Sequence, residues 1–98
     1  MAEETLLQLD APPDAREKGG HEVLRCFVVD GGLSVALRRS FDEPGTWGVL
    51  LADLARHAAR IYALETNVSE DEALASIKDL FDAEWSRPTD FGVTSAMN

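Results

Sequence analysis

The sequence predicts an α+β fold, a β-hairpin packed in two layers against an antiparallel pair of α-helices, with room for an extra N-terminal edge strand. Three observations predict it. Apolar and mixed positions alternate over residues 24–37 around Asp30-Gly31; apolar residues recur at three- and four-residue intervals over 47–62; and Ser69 with Glu72 opens a second such stripe.

Residues 1–20 form an N-terminal segment and linker. Thr5-Leu6-Leu7-Gln8-Leu9 is apolar enough to add an edge strand. Asp10-Ala11-Pro12-Pro13-Asp14 reads as a turn-rich linker, because two prolines fix φ and remove donors, and Lys18-Gly19-Gly20 ends it.

Residues 21–40 make the hairpin. Successive strand residues point to opposite faces, so Leu24, Cys26, Val28, Leu33, Val35 and Leu37 share one wholly apolar face. The other face mixes Val23, Phe27, Val29, Ser34 and Ala36 with Arg25 and Arg38. A Gly31-Gly32 loop would set Arg25 opposite Arg38, a like-charge pair costing up to about 1 kcal/mol. An Asp30-Gly31 type I′ loop sets Arg25 opposite Ala36 instead, and is the turn expected.

The first long helix spans 43–66, entering at Glu43-Pro44, since proline suits the first helical position. Its stripe is Trp47, Leu50, Leu51, Leu54, Ala58, Ile61 and Tyr62, with Asp53, Arg56 and Arg60 off it, and Asn67 closing it in the left-handed conformation. The second helix spans 69–87. Ser69 and Glu72 match a capping box, Leu74, Ile77, Leu80, Phe81 and Trp85 face inward, and Arg87-Pro88 ends it. So short a connection makes the helices antiparallel, with the pair covering the Leu24 face of the hairpin. Residues 88–98 read as a tail with Phe91 as its strong anchor.

With 98 residues, 45% of them apolar and 28% charged, one globular domain is expected over 1–98. The net charge of −9 repels nucleic-acid phosphates and anionic lipids, so neither nucleic acid nor membrane is expected as a partner. Met1-Ala2-Glu3-Glu4 does not open like a secretory signal, and a lone cysteine, Cys26, fits a reducing cytoplasm.

Little in the sequence points to catalysis, and the protein reads as leaning away from an enzyme. Asp53 and His57 lie one turn apart with Arg60 following, which would orient a base beside a cation, but the same spacing is that of an ordinary surface charge ladder. No motif supplies a nucleophile. His21 and His57 belong to no metal-binding pattern, and of two acidic clusters that could hold a hard cation weakly, Glu70-Asp71-Glu72 and Asp79, Asp82, Glu84, the first is already explained by helix capping. No metal or cofactor is expected. Cys26 falls on the apolar face, where a thiol is a core residue rather than a nucleophile.

Phe27 and Val29 resist the plain reading. They share a face with Arg25 and Arg38 away from the helix-covered side, and two strands are too narrow a sheet to stand alone. Arg25, Phe27, Val29 and Arg38 are therefore the expected interface of a homodimer that joins hairpins edge to edge or face to face.

The combination Pro12-Pro13-Asp14-Ala15, Gly32-Leu33, Phe41-Asp42-Glu43-Pro44, Trp47-Gly48, Leu51-Ala52-Asp53-Leu54-Ala55-Arg56-His57 and Phe81-Asp82-Ala83-Glu84-Trp85 resembles a family of short, functionally uncharacterised bacterial proteins. The resemblance implies a small bacterial cytoplasmic protein and transfers no catalytic residue. The function expected is a non-enzymatic protein-interaction module, dimeric, whose acidic surface accepts a basic protein or peptide. The alternatives are a small enzyme or ligand-binding protein using Asp53, His57 and Arg60, and an acidic chaperone-like protein.

Overall fold

In a computed structural model describing residues 5–90 and 92–97, the chain runs α1 (Pro13–Lys18), β1 (Leu24–Val29), β2 (Gly32–Arg38), α2 (Gly45–Glu65), α3 (Glu70–Ser86) and β3 (Val93–Met97). The fold is α+β. Asp30 and Gly31 both take positive φ, 50° and 80°, which a type I′ turn requires of its two central residues. β1 and β2 pair antiparallel with Arg25 opposite Ala36 and Cys26 opposite Val35, the register that keeps the arginines apart.

The sheet has a third strand that the sequence does not announce. β3 pairs parallel with β2, from Ser34 opposite Val93 to Arg38 opposite Met97, giving the order β1-β2-β3. A parallel neighbour needs a long crossover, and the two helices supply it. Residues 93–97 of the tail expected over 88–98 are thus strand, and Phe91, its expected anchor, lies outside the described residues, as do Met1-Ala2-Glu3-Glu4.

The N-terminal segment also differs from expectation. Residues 5–10 add no strand but run beside β1, where Arg25 Nη1 donates to Gln8 Oε1 at 3.3 Å. The stretch expected as linker holds α1, because Pro13 occupies a first-turn position where its missing N–H costs nothing.

Ser69 caps α3 as its sequence implies, its hydroxyl accepting from the Glu72 N–H at 3.1 Å. α2 ends on Thr66 rather than on a left-handed Asn67: the Thr66 N–H and hydroxyl both donate to the Tyr62 carbonyl, at 2.9 and 2.6 Å. α2 and α3 pack on each other with alanines at the centre. Among the described residues Ala59 and Ala73 are the buried ones, and Ala55, Ala63, Leu74 and Ile77 are half-buried.

One expectation about packing is not met within a single chain. Neither long helix brings a Cα within 8 Å of a strand residue among the described residues, so the helix pair does not roof the Leu24 face. The consequence is an open molecule. Its accessible surface is 8820 Å², where a compact monomer of this mass has about 5,500 Å², and its radius of gyration is 15.6 Å against about 13 Å.

Candidate functional site

Three strands give the sheet two faces, and cross-strand partners share a face. The first carries Leu24, Cys26 and Val28 beside Leu33, Val35 and Leu37, continued by Thr94 and Ala96 of β3. Val28 on it is 80% exposed. The second carries Arg25, Phe27 and Val29 beside Ser34, Ala36 and Arg38, continued by Val93, Ser95 and Met97. Here Phe27 is half-buried, while Val29, Val93 and Met97 are exposed.

The period of two therefore places the four expected interface residues on one face, and β3 enlarges it with two apolar side chains. Glu22 reconciles the two arginines. Its carboxylate accepts from Arg25 Nε at 2.9 Å and its carbonyl accepts from Arg38 Nε at 3.0 Å, so both guanidinium groups are held toward one end of the hairpin. Sequence reasoning missed this residue, although Glu22 at three positions before Arg25 is a visible signal.

The helix pair has its own uncovered surface. Leu51, Leu54, Ile61 and Tyr62 along α2 are exposed, as are Leu80, Phe81 and Trp85 on α3. Phe81 and Trp85 stack with ring centroids 5.7 Å apart. The expected stripe exists, but the contact between the helices uses an alanine face beside it.

Two braced joints connect the helices to the sheet. At the first, Ser40 takes a left-handed φ of 60°, and the Phe41 N–H donates across it to the Arg39 carbonyl at 2.6 Å. The same carbonyl accepts from Trp47 Nε1 at 2.9 Å, and the Trp47 ring meets Phe41 edge-on at 5.6 Å. At the second joint, the Glu84 carboxylate accepts from the Thr89 N–H and hydroxyl at 2.8 and 2.9 Å. Asp90 then accepts from the Leu33 N–H at 2.7 Å and from the Gly92 N–H at 2.8 Å, fastening the start of β3 to the start of β2.

The Thr89 backbone N–H, and after it the Thr89 hydroxyl, hold the Glu84 carboxyl below its ordinary value. A lowered carboxylate favours the folded state above its unfolded pKa and loses that contribution as the pH falls through the lowered value. Stability should therefore drop more steeply below about pH 4.3 in the natural protein than in Glu84→Gln. Chemical denaturation from about pH 6 to about pH 3 reads the difference.

A surface recess of about 560 Å³ lies where the first joint meets the sheet, lined by His21, Val23, Arg38, Arg39, Ser40, Phe41 and Met97. It gathers two arginines and a histidine in a chain of net charge −9.

The catalytic candidates fare differently. Asp53, His57 and Arg60 are all exposed on α2, make no hydrogen bond or ion pair to one another, and line none of the described recesses. Ion pairs elsewhere, Arg25 with Glu22 and Lys78 with Asp82, lie within single elements or beside them. Cys26 is exposed rather than buried, because the helices that would cover it stand away. Among the described residues no three potential metal ligands cluster, and no helix is long and apolar enough to cross a membrane.

A family model for a domain of unknown function, DUF5076, matches residues 8–89. The chain belongs to this family. Among solved structures, the DUF5076 chain is similar to one from the photosynthetic bacterium Rhodopseudomonas palustrus CGA009, named a putative pyruvate dehydrogenase. The two are 50% identical, the match covers 96% of this chain and 98% of that one, and the TM-score is 0.71. No curated protein matches the DUF5076 chain.

Proposed function

We propose that this DUF5076 protein is a non-enzymatic interaction module of the cytoplasm whose working form is a homodimer. The observation that carries the reading is the 8820 Å² of accessible surface, about 3,300 Å² more than a compact monomer of this size exposes. Obligate homodimers bury about 1,000–2,500 Å² per partner, so the excess is large enough to supply such an interface. A single chain with eighteen large hydrophobic residues exposed among those described would aggregate rather than persist alone. The Phe27 face, flanked by Arg25, Val29 and Arg38, supplies part of the contact, and the acidic exterior of the assembly accepts a basic protein or peptide.

Multi-angle light scattering at tens of micromolar tests the reading. The mass expected is twice the 10.7 kDa of one chain, and Phe27→Asp should shift it toward one chain. A natural protein that is monomeric at that concentration would overturn it.

A second reading, a small ligand-binding protein or enzyme, is favoured by the recess that gathers His21, Arg38 and Arg39 beside Ser40, since such a donor set suits a small carboxylate. The name carried by the similar Rhodopseudomonas structure points the same way. Titration with pyruvate separates the two, because the module reading expects no saturable uptake.

A further inference from the structure

Resting on the homodimer reading, we infer that the two copies exchange their helix pairs: α2 and α3 of each chain roof the Leu24–Val28 face of the other chain's sheet. Three observations carry this assignment of partner and surface.

The first is the pair of braced joints. A flexible linker would let the helices close on their own sheet, but here both crossings are fixed. Ser40 is held in the left-handed region, which a non-glycine residue adopts only where its surroundings impose it. The Arg39 carbonyl accepts two donors, one from the backbone and one from Trp47, and so sets the direction in which α2 leaves β2. Glu84, Thr89 and Asp90 fix the return in the same way. The helix pair is thereby held off its own strands, with no Cα of α2 or α3 within 8 Å of them.

The second is complementarity. The sheet offers Cys26, Val28 and Leu33, apolar and exposed, with no charged residue on that face. The helices offer Leu54, Ile61 and Phe81, equally apolar and equally open. Each surface has the apolar character that the other lacks a partner for. A second copy supplies both at once, and the resulting contact is isologous: whatever one chain gives, it also receives.

The third is size. Sheet-to-sheet joining alone would cover one face of three strands and leave the helices bare. Exchange covers one sheet face and the helix stripe together, and so removes more of the excess of about 3,300 Å² per chain than sheet-to-sheet joining does.

Cys26 makes the test direct, being the one cysteine and lying on the face in question. Leu54→Cys, Ile61→Cys and Phe81→Cys are each made in the full chain, and a mixture of ¹⁵N-labelled and unlabelled copies is refolded together and treated with a short thiol–thiol cross-linker. Exchange predicts a peptide joining Cys26 of one isotopic form to the introduced thiol of the other, in at least one of the three variants. A cross-link confined to a single isotopic form shows that the helices close on their own sheet, and overturns the inference. So does a link only between two Cys26 side chains, or no link to any helix position. Sedimentation equilibrium on the same samples reads the number of chains separately: a dimer without the inter-chain link sinks the exchange and leaves the homodimer standing, whereas a monomer sinks both.

Discussion

Val28→Asp should break the assembly into single chains. In one chain the Val28 side chain is 80% exposed, so a carboxylate there meets water and the substitution should shift stability by no more than about 0.5 kcal/mol. Beneath an apolar helix stripe the same carboxylate has no cation and no donor, and breaking a buried contact in this way costs about 3–5 kcal/mol. An isologous dimer carries the substitution at two such sites, so the dissociation constant should rise by roughly four to seven orders of magnitude. Sedimentation velocity across a dilution series reads it: the natural protein should stay associated where Val28→Asp is a single chain. An unchanged mass would mean that the Leu24 face looks onto solvent. Asp at Phe27 probes the opposite face, so the two variants together show whether one surface or both are used.

Gly92→Ala should detach the third strand. Gly92 takes φ of 54°, and a Cβ there would collide with the Leu33 carbonyl oxygen, an overlap with backbone that no side-chain rotation relieves. The left-handed dihedral alone costs about 1 kcal/mol for alanine. The collision adds to it and pushes β3 away from β2, so the total should exceed about 2 kcal/mol and lower the melting temperature by roughly 8 °C or more. Gly31→Ala is the control. Gly31 has φ of 80° in the hairpin turn but nothing within 4 Å of its would-be Cβ, so it should show a positive-φ cost without the collision. Hydrogen exchange at residues 93–97 should lose protection in Gly92→Ala only.

The hairpin was legible because two local rules agree on it. Alternation groups Leu24, Cys26 and Val28 with Leu33, Val35 and Leu37, and the charge on Arg25 and Arg38 chooses between turns that alternation leaves equal. The second helix was legible for the same reason, a cap at Ser69 and a stop at Pro88 framing one stripe. What escaped depends on distant partners. β3 is a short run whose pairing rests on Asp90 reaching Leu33 and on Gly92 passing close to a carbonyl, and neither shows in the spacing of Val93 and Thr94. α1 escaped because Pro12-Pro13 breaks a helix from within but starts one at its first turn.

The candidate surface was half legible. Periodicity set Arg25, Phe27, Val29 and Arg38 side by side, yet it also assigned the helices to the opposite face of the same chain. An amphipathic stripe states that a cover is needed and carries no information about which copy provides it. The alanines at 55, 59, 63 and 73 lie where α2 and α3 pack on each other, and Leu54, Ile61 and Phe81 stay exposed within one chain.

The bond from Leu33 to Asp90 spans 57 residues, whereas the hairpin and the helix pair each close on near neighbours. Long closures form late, because the entropy of bringing the ends together is spent before any contact rewards it. The hairpin and the helices should therefore arise independently, and the edge of β2 stays unpaired until Gly92 arrives. During that interval two half-made chains present matching open edges to one another, so encounter between copies and completion of the sheet compete for the same moment in folding.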